Sequence, residues 1–387
     1  MNNYLEKKKI GIITHYYNNS NYGGSLQAYA LTKAVSSLGY DVEQICYDIH
    51  SNPYKKKSKI KRLFKALNIK RTIQYLKLKK IFNMLRPRFE KISKFNQEKT
   101  AHSENKYNKT NINECSNQYD IFITGSDQVW NLDWYHPALF LDFVPSSKTK
   151  ISYAASMGTS RLDEQQRSII KEHLMDFKAV SVRENDMVEL LSELSPACVE
   201  WVLDPTLLLD RNEWDGICSD RMIDKPYVFC YFLGEDQEYR RLATEYAREH
   251  NLCVVTLPYL SGSYKSKDNK FGDARIIEAD PGDFVSLVKN ADYIFTDSFH
   301  ATVFSYIYEK EFVTFQRSKF VNMQSRNTSL LRLFDLEERF LNSPDMVSLK
   351  YINNLAKIDY SCPNNAFLQI KEFSIDFLKK NIQGNQQ

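Results

Sequence analysis

No run of apolar residues in this 387-residue sequence approaches the ~18 that a bilayer-spanning helix needs. Lys7, Lys8 and Lys9 stand near the start, but the apolar run behind them (Ile10, Ile12, Ile13) is too short for the core of a secretion signal. Cysteine is sparse and unpatterned. The seven thiols, Cys46, Cys115, Cys198, Cys218, Cys230, Cys253 and Cys362, are odd in number and include no C-x-x-C pair. That argues against a zinc site or a disulfide framework, and for reduced thiols in a cytoplasm. No G-x-G-x-x-G follows the first strand, so the dinucleotide fingerprint is missing. No carboxylate or histidine spacing implies a divalent metal, and no cofactor is expected. Acidic residues are missing from Ile49 to Phe89, a segment that holds fourteen Lys and Arg. The whole chain carries only +4, so its remainder is net acidic and the positive field is local.

What is there suits a folded protein. The chain is 43% hydrophobic and 13% aromatic, enough for sizeable cores, and its length suggests two domains. Residues 55–95 form a basic, helical insert in which Ile60, Leu63, Phe64 and Leu67 recur among lysines. Its charge has three readings: a solvated face, contact with an anionic membrane surface through residues 55–82, or nucleic acid. The last is set aside, because the segment carries no nucleic-acid motif and the body of the protein is acidic. Residues 96–118 are polar and Asn/Lys-rich and read as a loop.

Strand and helix patterns alternate. Lys9 to Thr14 is a β-rich run, followed by a turn-rich loop ending at Gly23 and Gly24. A helix then carries Leu26, Ala30, Ala34 and Leu38 on one stripe, and Asp41 to Tyr47 is the next strand. This is the opening of a doubly wound sheet. Further strands are read at 120–124, 151–155 and 179–183, and a second series starts at Tyr227. The domain boundary is therefore placed between 222 and 223, with the helical region 364–380 closing the second domain. In such sheets, loops leaving the strands' carboxyl ends gather at one crevice. Asn21–Gly24, Gly125–Asp127, Arg183 and Asp297–His300 all hold such positions, and His15 also follows a strand.

The stretch Ala291 to Ile307 concentrates the chemistry. Tyr293, Ile294 and Phe295 end a buried strand. Thr296, Asp297 and Ser298 make the turn and helix cap, and His300 falls in the first helical turn. Free N–H groups and the positive dipole end favour an anion there. The dipole lowers the histidine pKa and an arriving anion raises it, which suits proton transfer near neutral pH.

The set Asn21-Tyr-Gly-Gly-Ser-Leu-Gln27, Gly125-Ser-Asp-Gln-Val-Trp-Asn131, Ser181-Val-Arg-Glu184, Asp204-Pro-Thr206 and Thr296-Asp-Ser-Phe-His-Ala-Thr302 resembles the bacterial polysaccharide pyruvyl transferases. The resemblance covers most of residues 9–345. It implies a GT-B-like α/β fold, two Rossmann-like domains facing across a cleft, with an acceptor-side domain at 1–222 and a donor-side domain at 223–387. It implies transfer of a pyruvyl group from phosphoenolpyruvate to a sugar of a surface-polysaccharide precursor, forming a ketal. A polyprenyl-diphosphate-linked acceptor would place the protein in the cytoplasm, at the inner face of the membrane. The family's essential histidine and arginine fall on His300 and Arg183.

A donor with a carboxylate and a phosphate needs cations with planar donor geometry. Arg183, Arg326 and Arg339 are the candidates, with Ser298 and His300 beside them. His300 is the expected proton donor or base. Asp127 either orients a hydroxyl or a partner cation, or caps the next helix. Asn21, Tyr22, Gly23, Gly24, Gln27 and Gln128 are assigned to the acceptor side, where the glycine pair is either ligand-facing or only a tight turn. Trp130 and Trp201 read as core or cleft-wall packing, with a sugar platform as the other reading. The alternative function on the same architecture is a glycosyltransferase with a nucleotide-sugar donor.

Overall fold

Strands buried on both faces of a parallel sheet read as short, continuous apolar runs. Ile121-Phe-Ile-Thr124 and Tyr227-Val-Phe-Cys-Tyr231 are two of these, each buried throughout. The computed structural model describes residues 8–49, 69–159, 161–259, 268, 270–317, 325–361 and 365–383. The first sheet contains β1 (Lys9–Ile13), β2 (Asp41–Tyr47), β3 (His102–Tyr107), β4 (Ile121–Thr124) and β5 (Thr149–Ser152), in the order β3-β2-β1-β4-β5. β6 (Val180–Val182) pairs with β7 (Val199–Trp201). Parallel bridges from Ile151 to Ala179 and from Ala155 to Val182 carry the sheet across from β5.

The second sheet holds β8 (Tyr227–Tyr231), β9 (Cys253–Thr256), β10 (Ala274–Arg275), β11 (Tyr293–Thr296), β12 (Glu311–Phe315) and β13 (Phe340–Leu341). Its order is β10-β9-β8-β11-β12-β13, and all its pairs are parallel. Each sheet begins in its middle, winds outward, then returns to wind the other way. Crevices therefore open beside β1 and β4 in one unit, and beside β8 and β11 in the other.

Two helices meet where the units touch. Helix Tyr22–Ser37 is capped by Asn21, whose side chain accepts from Gly23 N, and it buries Leu26, Ala30, Leu31 and Val35. Helix Phe299–Ile307 is capped by Ser298 and buries Ala301, Val303 and Phe304. One apolar cluster runs through both units. In it Tyr22 stacks on Phe284 at 5.6 Å, and Trp214 packs edge-on to Phe304 at 4.7 Å.

The expected boundary at 222/223 falls in the link between β7 and β8. The closing helix, Asn365–Gln383, does not stay with the second unit. Phe367 packs on Tyr306 and Phe334 there, but Ser374 Oγ accepts from Leu203 N, and Lys178 Nζ donates to Asn381 O in the first. The basic insert contains helix Ile69–Lys99. Residues 50–68, and the side chains of 69–82, lie outside the described residues, so the segment 55–82 expected at a membrane does too. Residues 96–118, expected as a loop, contain β3 as an edge strand beside β2. No described helix is long and apolar enough to cross a membrane.

Candidate active site

Loops leaving strand ends converge between the units. The loop after β4 is shaped by its backbone. Gly125 has φ +124°, and a Cβ there would lie 2.0 Å from the carbonyl oxygen of Tyr153. Asp127 has φ 57°, a left-handed conformation that a non-glycine residue keeps only where its surroundings impose it. Ser126 supplies that support. Its N–H donates to Gln27 Oε1 at 2.9 Å, and its hydroxyl lies 2.9 Å from Ala154 O and 3.1 Å from Asp204 Oδ2.

The Arg183 side chain, leaving β6, is 3% exposed. Nη1 donates to Asp204 Oδ2 at 2.8 Å, Nη2 is 3.5 Å from Asp127 Oδ1, and Nε is 3.5 Å from Glu184 Oε1. Its guanidinium also sits 4.5 Å from the Phe299 ring centre. Burial alone would lower its pKa, but the three carboxylates raise it above the ordinary value. Burial favours the neutral acid in Asp127 and Asp204, yet Arg183 and His300 hold both carboxyls below the usual range. In Glu184 burial prevails over Arg183 and Arg326, and the pKa rises. Ser156 donates to this carboxylate at 2.5 Å.

His300 comes from the other unit. Its Nε2 lies 3.8 Å from the same Asp204 oxygen that Arg183 holds. Its ring fills the space over Gly23, where a Cβ would come within 2.1 Å of Nδ1. Burial lowers its pKa most; Asp204 and Asp127 pull it up, and Arg183 and Arg326 push it down again, leaving it below the ordinary value.

Arg326 is the least compensated charge. It is buried, and among the described residues it forms no ion pair. Burial and the neighbouring Arg183 bring its pKa down to about 10. Arg317, at the exit of β12, adds a third positive charge felt by both Arg326 and Asp297.

Buried polar atoms are normally partnered. Here Arg183 Nε and Nη2, Arg326 Nε, His300 Nε2 and Glu184 Oε2 are all buried without a hydrogen-bond partner among the described residues. Four of the five are nitrogens in one cluster. The arrangement is built to receive an anion between two guanidinium groups, with an imidazole in reach of a proton transfer.

The structure thus brings Arg183, His300, Asp127 and Arg326 together. Asn21 joins them through Nδ2, 3.4 Å from Asp127 Oδ2. His15 donates to the Gln128 carbonyl at 3.2 Å, and its charge also acts on Asp127. Ser298 accepts from Ala301 N at 3.5 Å and so serves as the helix cap.

Other expected site residues are engaged in packing or in hydrogen bonds within the protein. Arg339 lies at the far end of the second sheet, where Nη1 donates to Glu311 at 2.8 Å and to the Phe312 carbonyl at 3.3 Å; Nη2 donates to the Ala356 carbonyl. Glu311 begins β12, whereas the cluster gathers at strand exits. Tyr22 is packed between the units with its hydroxyl on Ala279 O at 3.0 Å, so no acceptor reaches it. Gln27 is fully buried and braces Thr14 and Gly24 while supporting Ser126. A Cβ on Gly24 would meet the His15 carbonyl at 2.7 Å, which gives that glycine a steric reason. Gln128 accepts from Asn131 at 2.7 Å. Trp130 is completely buried against Phe140, and Trp201 donates to the Arg183 carbonyl at 3.1 Å.

Asp204, Glu184 and Arg317 had no role assigned from sequence. Asp204 and Glu184 carry the signal shared by the others, a charged residue at a strand exit. Asp204 follows β7 and precedes a proline, and Glu184 is the next residue after Arg183.

Two doubly wound parallel sheets with a cation-rich cluster at their junction define a two-domain enzyme of the GT-B type. The chain belongs to the polysaccharide pyruvyl transferase family, whose model matches residues 21–319, and it is a transferase of polysaccharide biosynthesis. No curated protein matches it in sequence. Among solved structures, UDP-GlcNAc 2-epimerase from Methanocaldococcus jannaschii is similar at 13% identity and a TM-score of 0.54, over 96% of this chain and 99% of that one. UDP-N-acetylglucosamine 2-epimerase from Rickettsia bellii is similar at 11% identity and a TM-score of 0.51, over 97% and 95% of the two chains. At such identities the likeness shows the fold alone.

Proposed function

We propose that the donor is phosphoenolpyruvate and the acceptor a sugar of a lipid-linked surface-polysaccharide precursor, on which two hydroxyls close a pyruvate ketal. The observation that carries this is Arg326, a buried guanidinium with an orphaned Nε beside the already paired Arg183. A small dianion with separate carboxylate and phosphate groups suits two such forks.

The residues divide the work accordingly. Arg183 and Arg326 hold the donor. Its negative charge raises the His300 pKa and so favours the imidazolium as the proton donor. His300 Nε2 delivers that proton to the methylene carbon of the enol, and the adjacent carbon becomes electrophilic. One sugar hydroxyl adds there and gives up its proton to the neutral imidazole. Phosphate leaves with its bonding electron pair, and the second hydroxyl closes the ring as its proton passes to the departing phosphate. Asp204 keeps Arg183 and His300 in register throughout, and Asp127 orients Arg183.

Phosphate release from phosphoenolpyruvate, measured across soluble and polyprenyl-diphosphate-linked sugars, tests the reading. Release that depends on both partners is expected. No release with any acceptor, together with thermal stabilisation by a UDP-, GDP- or CMP-sugar, would replace it with nucleotide-sugar transfer. The fourteen positive charges between Ile49 and Phe89 support peripheral contact with an anionic cytoplasmic leaflet. Flotation with anionic but not neutral liposomes at low salt is expected, and equal flotation with both would remove the membrane contact.

A further inference from the structure

The helix Ile69–Lys99 leaves the first sheet after β2 and returns to it at β3, yet part of it faces the second unit. Ile92 and Phe95 seat it in the apolar cluster that runs through both units. Arg88 and Lys91 lie one turn before these two residues, on the same side of the helix. Charged side chains are rarely buried deeply unless they are paired. Arg88 is 3% exposed, and all three of its nitrogens donate to backbone carbonyls of the second unit. Nε reaches Ile277 at 2.5 Å, Nη1 reaches Pro258 at 2.7 Å and Nη2 reaches Ile276 at 3.1 Å.

Three side chains of the first unit thus take four consecutive carbonyls of the second. Arg88 holds Ile276 and Ile277, Lys91 Nζ donates to Glu278 at 2.9 Å, and the Tyr22 hydroxyl donates to Ala279 at 3.0 Å. The next residue, Asp280, caps the helix Pro281–Lys289, and the Tyr22 ring stacks on Phe284 of that helix. The Arg88 guanidinium lies 5.6 Å from the centre of the same ring. Apolar packing has no direction and lets two surfaces slide. A rigid guanidinium fork that donates three ways fixes them in place.

This seam borders the site. Tyr22 precedes Gly23, which touches His300, and follows Asn21, which reaches Asp127. The groups that must meet come from both units: Arg183 and Asp204 from the first, His300 and Arg326 from the second. Their spacing is therefore set by how the units dock.

We infer that Arg88 is a positioning residue for the reaction. As the clasp between the units, it holds His300 where Arg183 and Asp204 can share a substrate with it. The inference rests on the junction being the active site of the proposed function, but not on the identity of the donor.

Peptide-resolved hydrogen–deuterium exchange of the donor-free protein, paired with the kinetics of phosphate release from phosphoenolpyruvate, tests it in the parent, Arg88→Met, Arg88→Lys and Lys91→Met. Arg88→Lys keeps the charge but loses the fork. The Lys91 side chain is 46% exposed, so its replacement leaves the core intact should Arg88→Met fail to fold. In Arg88→Met, exchange is expected to quicken by about tenfold or more on both sides of the junction, in peptides covering 22–30, 276–284 and 299–304, while β1, β4, β8 and β11 stay protected. The kcat/KM of the folded protein should fall by about tenfold or more. Arg88→Lys and Lys91→Met should show the same pattern at smaller size. Parental kinetics in the folded variants, with exchange unchanged or quickened only around the lost carbonyl partners at 256–260 and 274–279, would make Arg88 a local brace and overturn the inference. Faster exchange across the junction, in a protein that never releases phosphate from phosphoenolpyruvate, would support the clasp while refuting the donor.

Discussion

Gly23 and His300 press against each other across the junction of the two units, with no room for a methyl group between them. The glycine belongs to the first turn of one helix and the imidazole to the first turn of another. Gly23→Ala must displace the ring or part the helices. A displacement of about 1 Å at a reacting group can cost ~10²-fold in rate. Turnover lower by about that factor, with a small change in melting temperature, is the expected outcome of phosphate-release and thermal-melting measurements.

The lowered pKa of His300 gives stability a pH dependence. Burial disfavours the imidazolium, so the unfolded chain takes up this proton at a higher pH than the folded one does. The stabilising contribution is therefore complete above the ordinary histidine value near 6.5, and is lost as pH falls through it toward the folded value. Urea unfolding of the parent and His300→Gln at pH 7.5 and 5.5 checks this. The advantage of the parent over the variant should be smaller at the lower pH.

Arg326 is expected to be a burden to the donor-free protein. Its charge is buried next to Arg183, and its pKa is depressed to about 10. Arg326→Ala should melt no lower than the parent. A lost hydrogen bond to a charged group is worth about 1.5–3 kcal/mol, so the KM for phosphoenolpyruvate should rise by roughly tenfold or more. A variant that melts far lower with an unchanged donor KM would make Arg326 structural.

Arg339 should behave in the opposite way. Its removal takes the guanidinium from Glu311 Oε2 and from the carbonyls of Phe312 and Ala356, leaving Glu311, among the described residues, only its bond from Ile358 N. Arg339→Met is expected to lower the unfolding free energy by about 1–3 kcal/mol. Its donor KM should match that of the parent, and a raised donor KM at unchanged stability would return Arg339 to the donor site.

Much of the frame is legible from local pattern. β1, β4, β8 and β11 are apolar runs bounded by turn residues, because both faces of their sheets are covered. β3 was hidden for the converse reason. His102-Ser-Glu-Asn-Lys-Tyr107 is an edge strand whose backbone pairs with β2, while Glu104, Asn105 and Lys106 face outward. Gly23 reads in sequence as part of a glycine pair that is either ligand-facing or only a tight turn, and nothing there names His300 as the group against it. Tyr22 and Gln27, its near neighbours, look equally polar in sequence and are buried for packing and bracing.

The sequence by itself determined the alternation of strand and helix, and with it the places where Asp127, Arg183 and His300 leave their strands. These follow from side-chain patterning within a few residues. Only the tertiary structure decided that Arg183 and His300 share one oxygen of Asp204, that Arg326 stands beside them, and that Arg339 does not. Those relations depend on how two sheets dock, and docking is set by a buried apolar interface built from residues hundreds of positions apart.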